Sequence, residues 1–255
     1  MLQPLDVINV EELITEDDTP VDNWASEKQQ RLLTEPLYSS WSGPGEGRTF
    51  IAAANVGIYD SVHEPAIVPD VFISLDVEVP DNWWDKHKRC YLVWEFAKAP
   101  EVVIEIVSND EGEEEGRKKS RYARMGVAYY VIFDPQQILS GDILKVYKLD
   151  IDSRRYNRQE TGWLSPLRLG LSLWQGEFEG KQANWLRWCD ESGNLIPTGR
   201  ERAEQERQRA EQERQQAERE RQRAEQEIQL RAQAEQRAQR LAERLRALGE
   251  DPDQI

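Results

Sequence analysis

The chain has 255 residues, is 38% hydrophobic with nine Trp, and carries a net charge of -15, which suits one medium domain with an appendage. That charge excludes a protein that grips nucleic acid through a basic surface in bulk, so any such contact is local, metal-assisted or shared with a partner. Two cysteines without a pairing motif, an amino terminus without basic and apolar leader regions, and no run of the ~18–20 apolar residues that a membrane span needs all point to a reduced cytoplasmic setting.

The charge is unevenly spread. Positions 200–255 hold 13 Arg against 14 Asp or Glu, a net of -1, so the preceding 199 residues carry about -14. The pattern divides the chain into an acidic irregular arm over 1–24, a globular domain over 25–197 and a charged helical or coiled-coil tail over 198–255.

In chain order, a helix is predicted at about 25–36, followed by a turn-rich link holding Gly43-Pro44-Gly45. Strands are expected over 49–59 and 66–75. A loop over 81–88 carries Trp83 and Trp84; the tryptophans read mainly as core or packing residues, with stacking of this loop pair on a base or a partner as the alternative. Tyr91 to Glu95 reads as a short strand. Val102 to Val107 is a continuous apolar run of strand length, typical of a central strand buried on both faces.

After that strand, Ser108-Asn109-Asp110 forms a capping cluster, and Glu111, Glu113, Glu114 and Glu115 supply the acids that a helix start prefers. Lys118, Tyr122 and Met125 fall at helical spacing, and Gly126 is a C-cap. Val127 to Asp134 is a second buried strand, making a parallel strand–helix–strand crossover. A hairpin over 142–161 and a strand and turn over 185–194 complete the domain. In the tail, Ala203, Ala210, Ala217 and Ala224 recur every seven residues. Alanine alone makes a thin heptad seam. Ala238, Leu241, Leu245 and Leu248 form a more apolar stripe suited to self-association or to a protein partner, before Gly249 and Pro252 stop the helix.

Two carboxylates interrupt apolar strand faces. Strand residues alternate sides, so Val103, Glu105 and Val107 share one face, as do Val68, Asp70 and Phe72. An unpaired buried carboxylate costs several kcal/mol, and two charges about 4 Å apart repel by about 4 kcal/mol at an effective dielectric near 20. A divalent cation with a nearby lysine relieves both costs. Plainer readings stand beside this one: Asp70 as a salt-bridged strand-end acid, Glu105 in a buried pair with Lys or Arg, Lys118 as a solvated helix lysine. Glu95 is a further acid near the strands, and His63 and His87 are too badly spaced for a zinc site.

Asp70 after Pro69, the strand Val103-Ile104-Glu105-Ile106-Val107-Ser108, and Lys118 followed by Tyr122 and Gly126-Val127-Ala128-Tyr129-Tyr130-Val131-Ile132-Phe133-Asp134-Pro135 together resemble the Uma-type restriction endonuclease family. This is a bacterial group within the PD-(D/E)XK nuclease superfamily. The resemblance spans roughly 20–190, and the Glu/Arg/Gln-rich tail is similar to an extension that many members carry. It implies a restriction-endonuclease-like three-layer α/β core with a mixed central sheet, plus the long C-terminal helix. It also implies metal-dependent hydrolysis of DNA phosphodiester bonds.

Residue by residue, Asp70 and Glu105 match the two acids. The superfamily's lysine position, two residues past the second acid, is Val107 here, and the family's lysine on the following helix is Lys118. By that resemblance Asp70, Glu105 and the Ile106 carbonyl hold Mg²⁺ or Mn²⁺, and Lys118 orients water and the scissile phosphate. The alternative is a catalytically silent interaction or scaffold protein that keeps the fold and works through its tail, a reading the acidic surface favours.

Overall fold

The computed structural model describes residues 23–45, 47–108, 114–139 and 141–247. The expected arm up to residue 22, Asn109 and Asp110 of the capping cluster, Glu111, Glu113 and the Gly249/Pro252 stop lie outside them. The chain divides into two compact units, 1–199 and 200–255.

In the first unit, helix α1 (Trp24–Ser39) starts where the Asn23 side chain accepts from the Ala25 and Ser26 amides, satisfying donors that a helix start leaves open. Its buried Leu32, Leu33 and Leu37 lie on one stripe. A six-stranded sheet follows, in the order β1-β3-β5-β6-β7-β8. Its strands are β1 (Phe50–Ala54), β3 (Val71–Leu75), β5 (Val102–Ile106), β6 (Tyr129–Phe133), β7 (Leu144–Asp150) and β8 (Arg155–Gln159). Only β5 and β6 run parallel, joined by helix α3 (Lys119–Met125); the other neighbours are antiparallel. This is the mixed α/β architecture of a restriction-endonuclease-like domain.

Strand alternation divides the core. Val102, Ile104 and Ile106 pack on one face with Leu33, Leu37, Leu186 and Trp188. Val103 and Val107 pack on the other with Phe72, Tyr122, Tyr130 and Ile132. The first face is covered by α1 and by a three-stranded sheet of β9 (Trp163–Leu164), β10 (Leu169–Phe178) and β11 (Lys181–Cys189). There the Trp188 indole donates to the Leu33 carbonyl at 2.7 Å. The second face carries α3 and a small parallel pair, β2 (Ile58–Tyr59) and β4 (Tyr91–Leu92).

Several boundaries differ from those expected. The strand expected over 49–59 breaks into β1 and β2 at Asn55, which takes a left-handed φ of 54°, a conformation asparagine tolerates. The strand expected from Ala66 begins only at Val71; before it Ile67 makes an isolated bridge to Ile58, because Pro69 has no amide to give a ladder. The strand expected over 91–95 ends at Leu92 and turns into a short helix, α2 (Val93–Phe96), closed by Ala97 at φ 56°. The crossover helix is preceded by a π-turn over Glu114–Lys118 that bends at Gly116. The strand expected near 185–190 is the second half of the long β10–β11 hairpin.

In the second unit, helix α4 (Gly199–Ala247) is continuous for 49 residues. Arg202–Glu206 at 2.9 Å, Arg209–Glu213 at 3.2 Å and Arg221–Glu225 at 3.1 Å are exposed pairs four residues apart, each worth a few tenths of a kcal/mol, roughly 0.2–0.5. Ile228, Leu230 and Leu241 are exposed on it. Among the described residues no helix is long and apolar enough to cross a membrane.

Candidate active site

The antiparallel ladder between β3 and β5 ends at the pair Val71–Ile104. Asp70, one residue earlier, continues it with its side chain: Oδ2 accepts from the Ile106 amide at 2.7 Å. Oδ1 accepts from the Gln30 side-chain amide of α1, also at 2.7 Å, and Gln30 in turn bonds Asn55. Asp70 is thus buried at the sheet end against the residue that follows Glu105.

Glu105 is 1% exposed and stands between Val103 and Val107 on the α3 face. Its Oε1 accepts from the Tyr122 hydroxyl at 2.7 Å and its Oε2 from Lys118 Nζ at 2.9 Å. Burial pushes the Glu105 carboxyl up to about 7; Lys118 and the Tyr122 bond pull down against it, while the neighbouring Asp70 charge adds to the rise. Burial works against the Lys118 ammonium, but Glu105, with Glu114 and Asp70 beyond it, overcomes this and raises its pKa above the ordinary lysine value. Burial, with Glu105 beside it, keeps Tyr122 neutral far above its ordinary range, so its hydroxyl remains a donor.

The adjacent Lys119 turns elsewhere: its Nζ lies 3.4 Å from the centre of the Tyr147 ring. Successive helical residues point about 100° apart, so only one of the two lysines reaches the acids. Glu95 pairs with Lys88 at 2.6 Å. Glu115 accepts from Lys145 at 2.6 Å, beyond the helix-start role expected of it.

Three participants escaped the sequence reading. Gln30 is one, and nothing in a polar helix residue forty positions away signals that it holds Asp70. Tyr122 was legible only as a spacing partner of Lys118. The third is Glu114, expected to be a helix-start acid. Its Oε1 lies 3.5 Å from Lys118 Nζ, and its Oε2 is the buried side-chain atom, among the described residues, that has no hydrogen-bond partner. The signal was its position four residues before Lys118.

Among the described residues no group of three or more His, Cys, Asp or Glu side chains is placed to hold a metal ion. The donors nonetheless fit a hard cation that needs few protein ligands. Mg²⁺ is typically held by one or two carboxylates with the rest of its octahedron filled by water and phosphate. A carboxylate has about four acceptor positions, so the bonds to Glu105 do not exhaust it; Glu114, whose other oxygen is orphaned, meets the same lysine through Oε1.

A family model named Uma2, described as "Putative restriction endonuclease", matches residues 12–178 of the chain. No curated protein matches the sequence.

Proposed function

The chain belongs to the Uma2 family, and on that premise we propose that it is a metal-dependent endonuclease hydrolysing DNA phosphodiester bonds at Asp70, Glu105 and Lys118. The observation that carries this reading is the buried Glu105 carboxylate with a lysine on one oxygen and the Asp70 carboxylate one residue away along the sheet end. Asp70, Glu105 and the Ile106 carbonyl would hold Mg²⁺ or Mn²⁺, which supplies Lewis-acid stabilisation of charge on the phosphate and a more acidic water.

The chain's own residues do the rest. Glu105 gives up its proton near neutrality, so the pair becomes a dianionic ligand set where the nuclease is to work. The Lys118 ammonium, fixed by Glu105 and Glu114, faces the phosphate as a charge that needs no reorganisation. Tyr122 and Gln30 keep the two carboxylates in one orientation.

A second reading rests on a specific observation. Each oxygen of Glu105 and of Asp70 already accepts a bond from the protein, as in a satisfied structural network of a silent scaffold. Incubation of supercoiled plasmid and of single-stranded DNA with Mg²⁺ or Mn²⁺ separates the two. The nuclease reading expects cleavage that EDTA stops and that Glu105→Gln and Asp70→Asn each reduce at least a hundredfold. Cleavage unaffected by either substitution, or none with either metal, overturns it.

A further inference from the structure

A cavity of about 420 Å³ opens on the α3-side face of the sheet, over β1 and β3. Phe72 and Tyr91 form its floor, both buried and set edge to face with centroids 5.2 Å apart. Phe96 stacks on Tyr91 at 4.3 Å and closes one wall. The rim is Trp83 and Trp84, 56% and 77% exposed, with ring centroids 6.1 Å apart. Lys88 and Arg89 also border it. Phe72 pairs with Val103 across the β3–β5 ladder, and Val103 precedes Glu105 by two residues on the same face. The floor therefore begins one strand over and two residues along from the acid, about 8 Å away at ~3.4 Å per residue and ~4.8 Å between strands.

We propose that this cavity takes an unpaired nucleobase of the strand being cut, next to the scissile phosphate. The proposal rests on the nuclease reading and adds a base-binding subsite to it. The volume falls within the roughly 300–1,000 Å³ of sites that bury small planar ligands, and such sites are lined mainly by aromatic and apolar groups. Two neighbouring indoles left largely in water mark a recognition surface. Their π-faces stack on any base, so they confer affinity for a strand without a sequence. The Arg89 guanidinium donates to the Trp84 carbonyl at 3.0 Å, so a cation is tied to the tryptophan loop. Lys88 is held by Glu95, so in a chain of net charge -15 the Arg89 guanidinium bordering the cavity is where a phosphate chain meets least repulsion. A base inside a duplex cannot enter the cavity; the occupant is single-stranded or turned out of its stack.

The test uses the full chain in EDTA and the fluorescence anisotropy of labelled 12-nucleotide probes: a mixed-sequence single strand, the same strand as a duplex, and a wholly abasic strand. The base-containing single strand should bind at least tenfold more tightly than the abasic strand or the duplex. The double variant Trp83→Ala/Trp84→Ala should lose that tenfold while binding the abasic strand within twofold of wild type, since stacking on an aromatic ring is worth about this much per base. Both indoles are exposed, so the variant should keep the wild-type circular dichroism and melting temperature. Cys90, which also lines the cavity, should be alkylated more slowly with the base-containing strand bound and at an unchanged rate with the abasic one. Equal affinity for base-containing and abasic strands, full affinity in the double variant, or a nucleoside monophosphate binding as tightly as the strand would overturn the proposal. EDTA keeps the two readings apart: base-dependent binding without any cleavage removes the nuclease reading alone, and cleavage with base-independent binding removes this one alone.

Discussion

The Lys118 ammonium lies 2.9 Å from Glu105 Oε2 and joins the crossover segment to the central strand. Its neighbour in sequence, Lys119, caps the Tyr147 ring instead. The two lysines share a composition and differ in direction alone, which makes them a matched pair for experiment.

Lys118→Ala should reduce metal-dependent cleavage at least a hundredfold, and Lys119→Ala by less than threefold. Lys118→Ala should also destabilise the fold by about 1–3 kcal/mol, because it strands a buried carboxylate. Lys119→Ala should stay near 0.5–1 kcal/mol, the scale of a partly exposed cation–π contact. Cleavage assays and urea unfolding of both variants check this, and the reverse order would place the working lysine one residue later.

In metal-free protein, the raised Glu105 carboxyl sets the sign of a pH effect. The folded state holds this proton more tightly than the unfolded chain, so the stabilisation is complete below the ordinary value of 4.5 and is lost as the pH rises to about 7. Wild type in EDTA should lose on the order of 2–3 kcal/mol across that window relative to Glu105→Gln. Mg²⁺ should restore part of it, because binding to the ionised form stabilises the fold by mass action. Thermal melts at pH 5 and pH 8 for both proteins, with and without Mg²⁺, give the comparison. Parallel pH dependences would remove Glu105 as the titrating group.

Tyr122→Phe deletes the hydroxyl that donates to Glu105 Oε1. That bond lowers the Glu105 pKa, so its loss should move the midpoint of the pH effect upward. The stability cost should be about 1 kcal/mol. Melts of Tyr122→Phe over the same pH range measure both quantities, and an unmoved midpoint would show that the hydroxyl does not tune the acid.

Asp70→Ala should cost more stability than Asp70→Asn. Alanine leaves the Ile106 amide and the Gln30 side chain without their acceptor, at about 1–3 kcal/mol for a buried group, whereas asparagine keeps one oxygen for the Ile106 amide. Both should abolish cleavage. Calorimetric titration with Mn²⁺ should show weakened binding in both.

Self-association is expected to reside in the tail. A chain ending at Gly199 should sediment as a monomer and the full chain as a larger species, driven by the apolar end that includes Ile228, Leu230 and Leu241. Equal sedimentation of the two would assign the helix to a different protein or to spacing.

The parts legible in sequence were those where periodicity and chemistry agree. The run from Val102 to Val107 has the length and β-branched content of an interior strand, and Glu105 stood out in it because its neighbours on the same face are valines. The β5–α3–β6 crossover followed from strand, acids, helix spacing and Gly126. The long α4 followed from composition and the lack of Gly or Pro. Illegible were features created by tertiary contact. Of the β10–β11 hairpin only the end of β11, from Trp185, was expected as a strand; the distal part of β10 is only partly buried and β11 begins with four exposed residues. Asp70 looked like a face-sharing strand residue with Val68, yet Pro69 delays the strand, Val68 is exposed, and the acid works as the ladder's terminal acceptor. Gln30 reaches it from another layer, a relationship no local pattern encodes.

The layout of the acid pair also bears on the order in which the site assembles. Glu105 meets Lys118 and Tyr122 across thirteen and seventeen residues, within a single crossover, whereas Asp70 meets Ile106 across thirty-six and Gln30 across forty. Loop closure costs rise with the length enclosed, though slowly, and nearer contacts tend to form sooner. By sequence separation alone the glutamate and its lysine are favoured to meet before the aspartate joins them, and the complete ligand set exists only once the sheet end has been closed.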